Sequence, residues 1–349
     1  MAGVNFQNSQ LIGNEYLPVT FAATVPYSFN SILPTVMFSE KFENRSNLRI
    51  IYNTSAGLPS LSQLQNVVNN TNPLLLSAGN PNLNQSYTNS LIIRYGKTNA
   101  TKAHSFFAFG TVTHTSQYIG NSTFIAYRDT ILPIGNNGYK VPKGAQFTMP
   151  VNLNDYWSAR AFATYGLPMD FVKSNLNFNG GVSYTSTPGL VNSVLNYANT
   201  YALNPGLVFS SNISEKVDFT LVYSSSYNIV NNTLNTQANN NYFTHTAGFK
   251  FNWILWKGFT FSTDISHTLY TGLIGAYNQS LLLVNGGIGK KLFKDQNGEL
   301  KLYVFDLLNQ NSSVSPTVTD TYIDDLRTQV LKRYLMLSFS YNLRKFKPS

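Results

Sequence analysis

Cysteine is absent from this 349-residue chain. No disulfide framework, thiolate metal site or cysteine nucleophile can therefore be built from it. Charge is scarce as well. Asp, Glu, Lys and Arg make up only 11% of residues, against roughly 25% in an average soluble domain. A soluble protein with so few charges would struggle to cover its surface, whereas one presenting a wide belt to lipid has no such need. Long apolar runs are missing too: nothing approaches the run of about 18 residues that a membrane helix requires. If the chain enters a membrane, it does so as strands. The opening MAGVNFQNSQLIGNEY has no basic start, apolar middle or small-residue cleavage site, so it does not read as a signal peptide. An export signal is expected outside this chain.

What the sequence does hold is aromatic residues, at 14%, and a net charge of +9. A basic chain raises the question of nucleic acid, but Lys and Arg are spread thinly along this one. No run of the kind that neutralises a phosphate backbone appears, and no nucleic-acid partner is expected.

The most informative stretch is KVDFTLVYSSSYNI, residues 216–229. Val217, Phe219, Leu221, Tyr223, Ser225, Tyr227 and Ile229 fall on one parity; Lys216, Asp218, Thr220, Val222, Ser224, Ser226 and Asn228 fall on the other. Side chains alternate faces along a strand, so this segment is greasy on one side and wet on the other. The pattern recurs. Ala247, Phe249, Phe251 and Trp253 alternate with Thr246, Lys250 and Asn252; Phe259, Phe261 and Ile265 face away from Thr260, Ser262 and Asp264. Ala159, Ala161 and Ala163 oppose Arg160 and Thr164, and Leu335, Leu337, Phe339 and Tyr341 oppose Ser338, Ser340 and Asn342. Period-two patterning across most of the chain predicts an all-β protein.

Thirteen strands are predicted, near 29–40, 46–54, 86–95, 103–116, 153–166, 174–186, 200–213, 216–229, 242–254, 258–270, 280–293, 299–311 and 330–346. Their joints alternate in length. Short ones fall at 42–46, 96–102, 167–173, 214–216, 255–258 and 294–299; long Asn-, Ser- and Thr-rich ones fall at 55–85, 117–152, 187–199, 230–241, 271–279 and 312–329. Short turns on one side and long loops on the other is how outer-membrane barrels are built. A soluble sandwich has no reason to sort its loops so regularly. The strands also reach the about 9–11 residues needed to cross a bilayer at a tilt.

This predicts an antiparallel transmembrane β-barrel with one domain over residues 1–349. Phe219, Leu221, Phe249, Phe251, Phe261, Leu335, Leu337 and Phe339 are expected to face lipid. Arg160, Lys216, Asp218, Lys250 and Asp264 are expected to face the lumen, because a lipid-facing Lys or Arg costs about 2–4 kcal/mol at mid-bilayer. Trp253 and Trp256 by one short turn, and Tyr223 and Tyr227 toward the long-loop side, suit interfacial girdles. Parity poses a problem. A barrel that starts and ends on one side needs an even number of strands, about 13–14 being present. Either residues 4–24 hide one more strand, or the chain is the C-terminal portion of a larger barrel. The second alternative is preferred, with residues 1–28 as an external loop or partial strand.

Residues 52–85 read YNTSAGLPSLSQLQNVVNNTNPLLLSAGNPNLNQ. Pro59, Ser60, Leu61 and Leu64, then Gly79, Asn80, Pro81 and Leu83, resemble a hallmark of TonB-dependent outer-membrane receptors, in the branch described as the outer-membrane β-barrel protein family. FNSILPTVMFS (29–39), GAQFTMPVNLNDYW (144–157), DLLNQN (306–311) and RYLMLSFSYNLRKF (333–346) are similar too. The resemblance covers nearly the whole chain. It implies about 22 strands in a complete receptor, a plug domain that these residues do not contain, and nutrient uptake across the outer membrane of a Gram-negative bacterium, the substrate being a glycan, peptide or metal chelate. Implied partners are outer-membrane lipid and lipopolysaccharide, the barrel-assembly machinery, a surface lipoprotein and, where a plug is attached, the TonB complex. The alternative is a non-transporting barrel with a structural or adhesive role.

No enzyme is indicated. His104, His114, His245 and His267 show no zincin-like spacing and read as structural. Asp320, Asp324 and Asp325 match no EF-hand loop. GGIGKK (286–291) lacks the spacer and the Lys-Ser/Thr ending of a phosphate loop and lies in a predicted strand. KDQNGE (294–299) is expected to turn through Asn297-Gly298 with positive φ. No Gly-x-Ser-x-Gly elbow occurs, and no metal or cofactor is expected.

Overall fold

The computed structural model describes residues 1–16, 22–43, 45–99, 101–133, 138–211, 214, 216–234, 236, 239–272, 279–293, 295–311, 313–318, 323–328 and 330–343. The strands run β1 Ala2–Tyr16, β2 Ala22–Lys41 and β3 Ser46–Gly57; then a one-turn helix α1 (Leu61–Leu64) and β4 (Leu75–Ser77). Next come β5 Ser86–Asn99, β6 His104–Ser116, β7 Tyr118–Ile125, β8 Thr130–Leu132, β9 Tyr139–Val141 and β10 Gln146–Leu153. Then follow β11 Tyr156–Met169, β12 Ser174–Val191, β13 Val194–Ser211, β14 Val217–Asn232, β15 Asn240–Ile254 and β16 Phe259–Thr271. The last are β17 Gln279–Leu292, β18 Gly298–Phe305, β19 Ser313–Val318, β20 Ile323–Thr328 and β21 Tyr334–Tyr341.

Fourteen of these form an antiparallel meander, β1-β2-β3-β5-β6-β11-β12-β13-β14-β15-β16-β17-β18-β21. Strands β4, β7 and β10 belong to the same sheet at the long-connection end: β7–β10 continues the register of β6–β11, β7 pairs with the tip of β12, and β4 pairs with β10. No pairing joins β1 to β21 among the described residues.

Residues 1–28 differ from expectation. β1 pairs with β2 along fifteen positions, from Ala2↔Val36 to Tyr16↔Ala22, so residues 2–16 are a strand and residues 22–28 the start of the next. Its alternation fades after Phe6, where Asn8 and Gln10 replace apolar residues on that parity, which hid it. The strand meets the parity condition.

The expected long joint at 187–199 also differs. β12 and β13 continue in register to Val191↔Val194 and turn through Asn192 and Ser193 alone, both with positive φ (48° and 66°). Two successive left-handed residues make the type of two-residue turn whose twist matches the strands. At KDQNGE the positive φ values fall on Phe293 (69°) and Gln296 (51°) instead of Asn297-Gly298, and Gly298 opens β18.

The register threads one apolar row through all fourteen strands. Phe6↔Ile32, Phe38↔Ile50, Ile50↔Ile93, Leu91↔Val112 and Ala161↔Val182 are directly opposed. So are Phe209↔Leu221, Leu221↔Phe249, Phe249↔Ile265, Ile288↔Leu302 and Leu302↔Leu337. Opposed residues share a face, so one side of the sheet is continuously greasy. It is also uncovered: Phe339, Leu335 and Leu337 are 58–69% exposed. The buried apolar cluster lies elsewhere. Leu76, Ala78, Ala126, Val141, Ala145 and Phe147 close on one another around β4, β9 and β10, so the long-connection end is an ordered cap with its own small core.

Candidate functional site

The site is assembled from three parts: the apolar face, the polar face and the cap. On the apolar face the structure places Phe219, Leu221, Phe249, Phe251, Phe261, Leu335, Leu337 and Phe339 together. Trp253 pairs with Val217 and Phe261 beside the 255–258 turn, and Trp256 in that turn is 74% exposed. Tyr223 and Tyr227 lie on the same face toward the other end. His245 and His267 join them: His245 Nε2 and His267 Nδ1 are 2.9 Å apart, and His267 Nε2 lies 3.0 Å from Ser280 Oγ. The Tyr223 and Phe243 rings contact His245 edge-on. No group of three metal-ligating side chains exists among the described residues.

The polar face carries Arg160 opposite Thr111 and Ser183, and Asp218 opposite Asn252. Lys250 stands opposite Asp264, Nζ to Oδ2 3.7 Å. Lys216 sits in the turn before β14, where its carbonyl accepts the Ile254 N–H at 2.7 Å. The GGIGKK segment lies within β17 as expected. Gly287 is required by close approach: a Cβ there would meet the Leu302 carbonyl oxygen at 2.7 Å.

The cap contains the segment that carries the family resemblance. Ser60 is the N-cap of α1 and forms a reciprocal box with Gln63: Ser60 N–H donates to Gln63 Oε1 at 2.9 Å, and Gln63 N–H to Ser60 Oγ at 3.3 Å. Pro59, Leu64 and Leu83 are buried, whereas Leu61 and Pro81 are exposed. Gly79 and Asn80 lie along the C-terminal end of α1, their N–H groups donating to Gln65 O (2.9 Å) and Gln63 O (2.6 Å). Asn80 Nδ2 donates to Pro150 O of β10, and Asn80 Oδ1 accepts from Asn82 N–H, both at 3.0 Å. Asn152 then ties Asn84 to Gln117, its Nδ2 donating to both carbonyls. The separate pieces of the long connections are thus fastened to one another by amide hydrogen bonds.

Three features escaped sequence reasoning. Asp306, buried in the DLLNQN segment, accepts the Gln310 and Asn311 N–H groups on its two carboxylate oxygens; an Asp followed by Asn- and Gln-rich positions was a legible loop signal. The β8–β9 hairpin holds an ion pair, Lys140 Nζ to Asp129 Oδ2 at 2.9 Å. The hydrogen bond from Lys140, seconded by the Lys143 N–H, pulls the Asp129 carboxyl below its ordinary value, and Asp129 in turn raises Lys140. A cationic row on the polar face, formed by residues far apart in sequence, could be seen only with the register in hand. Asp320 lies outside the described residues, as do the side chains of Asp324 and Asp325.

A model of the outer membrane protein beta-barrel family matches residues 2–201 and 175–341. The chain belongs to that family. Its sheet is that of an outer-membrane β-barrel protein, and its location is the outer membrane. No curated protein matches the chain. Among solved structures, a crystal structure of a Pseudomonas aeruginosa FadL homologue is 12% identical, covers 97% of this chain and 88% of its own, and superposes with a TM-score of 0.36. At that level of similarity nothing about substrate follows.

Proposed function

We propose that this family member forms barrel wall of the TonB-dependent-receptor type and takes part in uptake of a glycan, peptide or metal chelate across the outer membrane. In this reading the apolar row meets hydrocarbon and the polar face lines the lumen. The short turns face the periplasm, the cap stands outside, and the fourteen strands are part of a wall of about 22. The observation that carries the reading is the interlocked cap. An open pore needs no such device, and a loop layer with its own buried cluster and amide fastenings supports a preorganised capture surface at a selective entrance.

Uptake of labelled glycans, peptides and metal chelates tests this in cells with the full-length gene, without it, and without TonB. The expected result is one substrate class whose entry needs both the gene and TonB. Equal entry in all three strains would overturn it, and loss of adhesion or envelope integrity alone would favour a structural barrel.

A further inference from the structure

Four cations converge on the polar face beside the 42–45 turn. Arg49 on β3 stands directly opposite Arg94 on β5, and the same row continues to Phe109 on β6. One step nearer the turn, Lys41 on β2 lies in the row that reaches Phe107. Arg45 in the turn, held at positive φ, completes the lining of a cavity of about 460 Å³ that Lys41, Arg49, Arg94 and Phe107 share.

Like charges directly opposed on neighbouring strands are destabilising. The same face shows the ordinary solution at Lys250, which stands opposite Asp264. The Arg49–Arg94 pair has no such relief. None of the four cations has a carboxylate within ion-pair distance among the described residues. The nearest acids in sequence are Glu43, in the turn, and Glu40, which pairs with Leu48 on the opposite face. Arg94 is further fixed by the Phe109 ring, its guanidinium carbon 5.7 Å from the ring centroid. A local rule broken without a compensating partner marks a functional site more often than an accident, and convergent guanidinium forks match carboxylate and phosphate oxygens bidentately.

We propose that this cavity binds a multiply charged anionic solute through phosphate or carboxylate groups, with Phe107 against its less polar part. The inference deepens the uptake reading by naming a substrate class, and it rests on that reading only in taking this face as lumen.

The test uses the full chain refolded in detergent and titrated calorimetrically with inorganic pyrophosphate and with citrate at 150 mM salt, roughly the physiological value. Saturable binding of either probe is expected. Arg49→Gln with Arg94→Gln should weaken it at least tenfold, Arg49→Lys with Arg94→Lys should fall between, and Lys250→Gln should leave it unchanged. Gel mobility shifts on heating verify that each variant has folded. Absence of saturable binding of both probes by the wild type, or equal binding by the Gln pair, overturns the proposal. Uptake is read separately, so failure of transport and failure of this site give different results.

Discussion

The Gly79 N–H donates to the Gln65 carbonyl at 2.9 Å, locking the second half of the cap's signature segment onto the helix that opens the first half. A Cβ at Gly79 would stand 2.7 Å from the carbonyl oxygens of both Gln63 and Ser62, and backbone at that distance cannot yield. Gly79→Ala should therefore destabilise the cap by about 1–3 kcal/mol, the usual cost of overpacking, while the strands still assemble. Limited proteolysis should cut the variant within residues 58–85 and leave the wild type intact. Equal resistance in both would count against the interlock.

Charge on the apolar face should cost more with depth. Leu221 pairs with Phe209 and Phe249 well away from the Trp253 turn, while Phe219 is nearer to it. Leu221→Arg is expected to cost about 2–4 kcal/mol in lipid and Phe219→Arg less, the penalty shrinking toward the interface. Ser224→Arg, between Gly206 and Thr246 on the polar face, should be tolerated. Refolding yields into lipid vesicles rank the three. Equal folding of Leu221→Arg and Ser224→Arg would reverse the face assignment.

His245 and His267 satisfy each other on that face. Replacing either one by Phe removes the other's ring partner and should cost about 1–3 kcal/mol. Replacing both, together with Ser280→Ala, which removes the His267 partner hydroxyl as well, should cost less than the sum of the separate changes. A mutant cycle on urea-induced unfolding in vesicles measures the difference. Additive single and combined effects would show that the pair is not coupled.

The β8–β9 hairpin should respond to pH through Asp129 and Lys140. A carboxyl held below its unfolded value stabilises the fold above that value, so this contribution is present at neutral pH and fades as pH drops through and below about 3.8. Lys140 is raised, so its contribution holds below about 10.5 and is lost on going higher. Hydrogen-exchange protection in residues 130–132 and 139–141, taken relative to the intrinsic rate at each pH, should fall at both extremes, and Asp129→Asn should remove the acid-side change. An acid response unaltered in that variant would place its origin elsewhere.

The meander strands from β2 onward were legible because each must present opposite chemistries on its two sides, which imposes a period that single residues reveal. Save for Leu153, β4 and β7 to β10 lie inside the expected long joints 55–85 and 117–152, and β19 and β20 lie inside 312–329. β1 was illegible where Asn8 and Gln10 interrupt its apolar parity. The far end of the β12–β13 hairpin was hidden because its polar residues resemble a long loop, although Pro188 and Gly189 remain in register, opposite Tyr197 and Asn196. The cap's signature residues were visible, but not that Asn80 reaches Pro150 or that β4 runs parallel to β10, since no local pattern encodes a partner seventy residues away. The Arg49–Arg94 pairing was invisible for the same reason. Forty-five positions separate the two, and only the register brings them face to face.

The length of the β12–β13 hairpin has a mechanical meaning. Eighteen residues per strand at roughly 3.4 Å each extend to about 60 Å, while about 9–11 residues suffice to traverse the bilayer. At a barrel tilt of about 35–45° the ribbon outreaches the hydrocarbon core of about 30 Å, and its end stands as a stiff fin with β7 propped against the tip at Leu190 and Val191. An arriving molecule meets a braced blade instead of a waving tether, and little motional freedom remains to be surrendered on contact.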